Sequence, residues 1–273
     1  MDNTKIIGVF PIMQLITCMD GISLEEMGEV KLLNRYDSKY CLQVSQLNVI
    51  VEEVLKDYYV LDIDGTRIQS YSSVYFDTPE NRFYLAHHNC KGFRFKIRKR
   101  SYLNSGISFT EIKEKTNKGK TIKKRIRNVS GLNEISTVES RFISDELHID
   151  PLVLTAKSKN RFNRITLVSK NFDERCTIDI NLVFGMNGET TMIRDFALIE
   201  LKQGKRNLCS KLALSLKNHH VYPSSFSKYC IGRALLEDGI KKNRFKYKLL
   251  EIKREFELVY TEKHHSSKIL VHN

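Results

Sequence analysis

Between Gly92 and Arg100 apolar and cationic side chains alternate. Phe93, Phe95 and Ile97 fall on one side of an extended chain, and Arg94, Lys96, Arg98 and Arg100 fall on the other. Such a strand buries its apolar side and presents a row of cations. It also turns Lys99 outward, toward helices or solvent, as an isolated charge expected to contribute little to stability. The two-residue period returns twice. Phe109, Glu111, Lys113 and Lys115 oppose Ile112, and Thr121, Lys123, Arg125 and Arg127 oppose Ile122 and Ile126. Further strands are predicted at 71–77, 161–168, 175–182 and 194–202. Their polar sides carry Arg164 and Thr166, then Arg175, Thr177 and Asp179, then Glu200 and Lys202. Helical spacing marks 42–58, where Leu47, Ile50, Val51, Val54 and Leu55 recur, and also 131–147, 208–216 and 227–236. Thr78-Pro79 fits a helix start, with Pro at the first helical position. After 240, Phe245, Leu249, Ile252, Phe256 and Val259 predict one more helix. The elements define an α+β protein with mostly antiparallel strands.

Charge sharpens this picture. Residues 91–127 hold fourteen Lys or Arg against Glu111 and Glu114, so this segment accounts for +12 of the net +13. Three successive strands with charged sides call for a common polyanion. With 273 residues, 41% of them hydrophobic, the chain can bury one large core, and no Gly/Ser/Pro-rich linker divides it. The six cysteines show no C-x-x-C spacing, which points to a reducing, cytoplasmic setting. Residues 6–16 are apolar but far short of the roughly 20 needed to cross a bilayer, so a buried amphipathic helix is expected there. The pairs His87-His88, His219-His220 and His264-His265 have no ligand-like spacing, and Gly119-Lys120-Thr121 lacks the upstream glycine of a P-loop.

Strands whose polar sides are all charged are poorly explained by an open sheet with one wet face. A closed antiparallel β-barrel with a hydrated, charged interior, surrounded by helices, fits better. Cations converging on a narrow channel repel one another unless an anion fills it. A few carboxylates among them suit a divalent cation bound together with phosphates. This is the chemistry of phosphoryl transfer, where positive groups neutralise the transferred phosphoryl.

An ordered set of short motifs adds to this reading: Met19-Asp20-Gly21-Ile22-Ser23-Leu24-Glu25-Glu26-Met27, Arg35-Tyr36-Asp37-Ser38-Lys39-Tyr40, Tyr75-Phe76-Asp77-Thr78-Pro79, Arg98-Lys99-Arg100-Ser101-Tyr102, Glu111-Ile112-Lys113, Thr121-Ile122-Lys123-Lys124-Arg125, Ile199-Glu200-Leu201-Lys202, and Phe226-Ser227-Lys228-Tyr229-Cys230-Ile231-Gly232. Together they resemble a bacterial VTC domain, the polyphosphate-polymerase domain of the triphosphate tunnel metalloenzyme (CYTH-like) superfamily. The resemblance runs over about 19–240, and the domain is placed at 21–240, with 1–20 as a lead-in helix and 241–273 as a basic helical extension. It implies that Lys39, Arg98, Arg100, Lys113, Lys123, Arg164 and Lys228 are the catalytic, phosphate-binding cations and that Glu200 binds a metal. Glu111, matching the acidic position of the family's E-x-K strand, is expected as a second metal ligand, and Ser227, beside Lys228 at the tunnel mouth, as a phosphate-binding residue. The shared strand faces add Arg94, Lys96, Lys115, Arg125 and Lys202 to the phosphate-binding set, and Asp179 to the metal-binding carboxylates. Ser225 departs from a second mouth lysine of some eukaryotic members.

The activity implied is an ATP-dependent polyphosphate polymerase using Mn²⁺ or Mg²⁺. A triphosphatase, a nucleotidyl cyclase or a non-catalytic binder of polyphosphate or nucleic acid stands as the alternative. Nucleic acid is the less expected ligand, because Phe93 and Phe95 lie opposite the cations and cannot stack bases beside them. A membrane-protein partner is compatible with the family, although the sequence offers no span of its own.

Overall fold

The computed structural model describes residues 9–28, 36–204 and 207–261. Among them the chain runs α1 (Val9–Thr17), β1 (Gly21–Ile22), α2 (Leu24–Gly28), β2 (Tyr36–Gln43), α3 (Val44–Val54), β3 (Tyr58–Leu61), β4 (Gln69–Asp77), α4 (Arg82–His88), β5 (Arg94–Tyr102), β6 (Ile107–Lys115), β7 (Thr121–Arg127), α5 (Thr137–Leu147), β8 (Thr155–Ser169), β9 (Glu174–Met186), β10 (Glu189–Arg194), β11 (Phe196–Gln203), α6 (Lys211–Asn218), α7 (Lys228–Leu236), α8 (Lys246–Glu255) and β12 (Glu257–Thr261). Expectations that fall on 1–8, on Arg35 and on 262–273, including His264 and His265, lie outside the described residues. No helix among those described is long and apolar enough to cross a membrane.

All twelve strands join one sheet, and its pairings are antiparallel except for β1 with β3. The main path is β7-β6-β5-β4-β8-β9-β11-β2. The long strands β8 and β9 each serve more than one neighbour: the end of β8 also pairs β3, and the end of β9 also pairs β10, which pairs β12. The apolar strand faces lie outward under helices. Ile165, Leu167, Ile178, Ile180, Ile199 and Leu201 pack with α1, α3 and α6, while Val74, Phe76, Ile97 and Ile112 pack with Phe83 of α4 and Ile143 of α5.

The charged faces meet on the inside because the sheet curls. Glu200 on β11 interacts with Lys113 on β6, and Lys39 on β2 interacts with Lys96 on β5. Each pair is five strands apart along the path, about 24 Å on a flat sheet at ~4.8 Å per strand. The hydrogen-bonded path nevertheless does not return on itself. Among the described residues β2 and β7 do not pair with each other, so the described sheet curls around a channel without the hydrogen-bonded closure expected of a barrel.

Two sequence expectations change for physical reasons. The helix after 240 ends at Glu255, and Phe256 and Val259 belong instead to the Phe256 cap and to β12, which pairs along β10. Phe256 is fixed against Phe196 with ring centroids 5.0 Å apart, so tertiary pairing overrides the helical spacing. Lys99 does turn away from the channel, but it is fully buried rather than a surface charge. Its Nζ meets Glu139 Oε2 at 3.0 Å and donates to Ser130 Oγ at 2.7 Å and to the Gly131 carbonyl at 3.0 Å. Glu139 is also the capping-box residue of α5, accepting the Ser136 N–H at 2.9 Å. The pair therefore ties the back of β5 to the start of a covering helix.

Candidate functional site

Strand register assembles the site. On β5, β6 and β7, Arg98, Glu111 and Arg125 share one row, and Lys96, Lys113 and Lys123 share the next. On the opposite wall Arg164 pairs with Asp179, and Glu200 lies between Lys39 and Thr177. The start of α7 enters from the end. Asp77, fully buried at the end of β4, accepts the Phe83 and Tyr84 N–H groups at 2.8 Å and the Tyr229 hydroxyl, linking α4 to α7. Gly232 lets α7 lie flat on β9, since a methyl there would collide with the Phe184 ring. Ser227 caps α7 by accepting from the Cys230 N–H at 3.4 Å, and the adjacent Lys228 reaches the channel.

The channel has more cations than anions. Lys39, Lys96, Arg98, Arg100, Lys113, Lys123, Arg164, Lys202 and Lys228 face Glu111, Asp179, Glu200 and the flanking Asp37. Glu111 is held by Arg98 at 2.7 Å and by Lys123, and Asp179 by Arg164 through 2.6 and 2.8 Å contacts and by Lys228. Burial opposes both ionised carboxyls, but their cations outweigh it, pulling Glu111 down to about 2 and Asp179 lower still. Among the described residues Glu200 has one looser ion-pair contact, Lys202 Nζ at 3.5 Å. Lys39 donates to the Phe226 carbonyl at 3.0 Å and Lys96 to Ser227 Oγ at 3.1 Å. Arg100, 7% exposed, donates from Nε to Ser73 Oγ at 3.2 Å and lies over the Tyr71 and Phe162 rings.

Not every expected residue converges equally. Arg125 stacks over Phe109 at 4.4 Å on the exposed edge strand, and Arg94 donates to the Lys91 carbonyl at 2.6 Å, so both lie toward the rim, with Lys115 opposite Arg94. Glu111, Asp179 and Glu200 do not form one ligand group. Among the described residues no three His, Cys, Asp or Glu side chains gather as one. Glu111 and Asp179 are each occupied by two cations, which leaves Glu200 as the carboxylate that fits a divalent ion sharing its other ligands with phosphates. The sequence reading missed the floor of the channel, made by the aromatic and hydroxyl side chains of Tyr71, Ser73 and Tyr75 of β4 and Phe162 of β8.

One end of the channel widens into a cavity of about 960 Å³. Its lining combines the cations Lys123, Arg125, Arg164, Arg175 and Lys202 with the aromatic and apolar side chains of Tyr71, Tyr102, Phe109, Ile107, Leu61 and Met27. The opposite end is the cationic group of Lys39, Lys96 and Lys228 at the start of α7.

Burial and the surrounding cations lower two of these lysines. Burial comes first for both; Lys39 adds to it at Lys96, and Arg164 at Lys228, bringing each down to about 8. An unfolded lysine titrates near 10.5, so between these values the unfolded chain binds more protons and the empty protein gains stability as pH rises. Affinity for a polyanion runs the other way, because the lysines lose charge. Tripolyphosphate should therefore bind more weakly above pH 8 than at pH 7 while the melting temperature of the free protein rises, read by calorimetry and thermal scans.

Residues 34–237 match the family model described as the VTC domain. The chain belongs to the VTC domain family. Solved structures with a similar fold include an adenylate-cyclase candidate from Vibrio parahaemolyticus, 11% identical, covering 72% of this chain and 97% of its own, with a TM-score of 0.44. A Hippeastrum protein, described as an adenylyl-cyclase candidate with a dominant triphosphatase activity, is 13% identical, covering 72% and 94%, with a TM-score of 0.47. An adenylate-cyclase candidate from Bacillus halodurans is 12% identical, covering 71% and 96%, with a TM-score of 0.46. The comparison with curated proteins found no match.

Proposed function

We propose that this protein is a polyphosphate polymerase that transfers the γ-phosphoryl of ATP to the end of a phosphate chain. An oxygen of the terminal chain phosphate bonds to the γ-phosphorus as the bond to the β,γ-bridging oxygen breaks, and ADP leaves with that oxygen. The observation that carries this reading is the surplus of inward cations over carboxylates along the channel, which suits a chain of phosphates better than one phosphate group. On β5 alone Arg94 to Arg100 spans about 20 Å at ~3.3 Å per residue.

The two ends of the channel support a division of labour. The wide aromatic and apolar end suits a nucleoside, and the lysine end beside Ser227 suits a chain that carries nothing but phosphates. Between them Arg98, Arg100 and Arg164 hold phosphate oxygens in a fixed geometry that water would otherwise have to reorganise. Lys113 and Lys123 approach from the β6–β7 side. A divalent ion, Mn²⁺ or Mg²⁺, would supply further neutralisation of phosphate charge, with Glu200 as its protein ligand. Glu200→Gln keeps the shape and removes the charge. It should lower metal-dependent turnover by about 100-fold or more, in line with removing a group aimed at transition-state charge, while circular dichroism stays unchanged. Near-normal turnover and metal dependence would make Glu200 only a partner of Lys202.

The direct test is product analysis. Purified protein incubated with ATP and Mn²⁺ should yield ADP and a ladder of polyphosphate. Orthophosphate released in step with ADP, with no ladder, would turn the assignment to a triphosphatase.

A further inference from the structure

Tyr75 is buried in the channel wall without belonging to its set of cations and carboxylates. Its register partner on β5 is Arg98, whose Nη1 donates to the phenol oxygen at 3.4 Å, and its partner on β8 is Ser158. The ring stacks on Tyr229, the residue after Lys228, at 5.0 Å. Two positions along β5, Arg100 is almost as deeply buried as the 4% exposed Tyr75, and among the described residues no carboxylate forms an ion pair with it. Glu111 is already divided between Arg98 and Lys123. A guanidinium buried without a counter-charge is costly. Among the described residues, the Tyr75 phenol joins Glu111 as an acidic group acting on both Arg98 and Arg100.

We infer that Tyr75 is an internal counter-anion of the channel. Its phenolate balances Arg98 and Arg100 while the channel is empty, and it takes up a proton to become a hydrogen-bond donor when a phosphate chain reaches those guanidiniums. The inference rests on the channel binding phosphate chains and not on the polymerase step. Only a proton moves: solvent supplies it, the phenolate oxygen accepts it, and a phosphate oxygen then accepts the O–H.

The surroundings have the right sign. Burial pushes the phenol up, but Arg98, Arg100 and Lys96 outweigh it and bring the group down to about 7. From α7 and α4 its neighbours are Tyr229, Cys230 and Tyr84, and the nearby Arg233 is engaged by Asp77 and Glu237. Glu111, the other partner of Arg98, carries the same sign as the phenolate and opposes it. A phosphate chain adds negative charge where the phenolate sits, so its pKa must rise on binding.

The test uses the full chain and inorganic tripolyphosphate, with calorimetry and near-ultraviolet difference spectra on the same samples, at about one pH unit above the phenol's value so that the phenolate is favoured about tenfold. The protein has no Trp, so the tyrosinate band reports tyrosines alone. Wild-type protein should lose tyrosinate absorption in proportion to the heat of binding, approaching one group per chain bound, and Tyr75→Phe should bind with no such loss. Should Tyr75→Phe fail to fold, Arg100→Gln serves instead, because it should move the tyrosinate titration of the free protein to higher pH. Binding heat without an absorbance change in the wild type overturns the role of Tyr75 and leaves the channel reading intact. The same absorbance loss in Tyr75→Phe, or an unmoved titration in Arg100→Gln, overturns it as well. Absence of any binding heat overturns the channel reading beneath it.

Discussion

Lys99→Ala should cost about 3–5 kcal/mol of stability, a large share of the roughly 5–15 kcal/mol of a typical domain. The substitution strands Glu139, fully buried and capping α5, without its cation, and it leaves the Gly131 carbonyl and Ser130 short of a donor. Lys99→Met combined with Glu139→Gln should recover part of the loss, because an apolar side chain of similar volume then faces a neutral amide that still accepts the Ser136 N–H. Urea unfolding of the two variants checks this. A loss below about 1 kcal/mol for Lys99→Ala would mean that the pair is hydrated and behaves as a surface ion pair.

One residue further along β5 the expected result reverses. Arg100→Met removes a buried guanidinium that, among the described residues, has no ion-paired carboxylate and sits among Arg98 and Arg164, so it should leave the melting temperature of the empty protein unchanged or raised. It should lower ATP turnover by about 10- to 150-fold, the loss of one charge-assisted phosphate contact worth roughly 1.5–3 kcal/mol, and by more if that contact tightens in the transition state. Thermal scans and steady-state kinetics on the same preparations separate the two effects. A destabilised Arg100→Met with normal turnover would make Arg100 a structural residue like Lys99.

This contrast shows what the sequence could and could not supply. Alternation along β5 to β7 was legible because charged residues mark a wet face unambiguously, and it placed Arg98, Arg100, Lys123 and Glu111 on inward faces and turned Lys99 away. Alternation gives a direction and not a degree of burial. The burial of Lys99 depends on Glu139, forty residues later on a helix whose docking no local pattern reveals. On β4 the strand was legible but its channel-facing side was not. Both of its faces are buried, so Tyr71, Ser73 and Tyr75 carry no polar period and read as core. Sheet closure was not legible either, since the faces of β2 and β7 say nothing about whether their edges pair. The inward position of Asp179 was readable from its strand, but its engagement by both Arg164 and Lys228 comes from three separate elements meeting.

The central claim is that one channel holds donor and chain together and moves a phosphoryl group between them. The most direct measurement is a single turnover with enzyme in excess over ATP labelled in the γ-phosphate, in the presence of tripolyphosphate and Mn²⁺. The account predicts that the label appears in a chain one phosphate longer than the acceptor, with one ADP formed for each phosphate transferred. Label recovered wholly as orthophosphate, with the acceptor length unchanged, would contradict it.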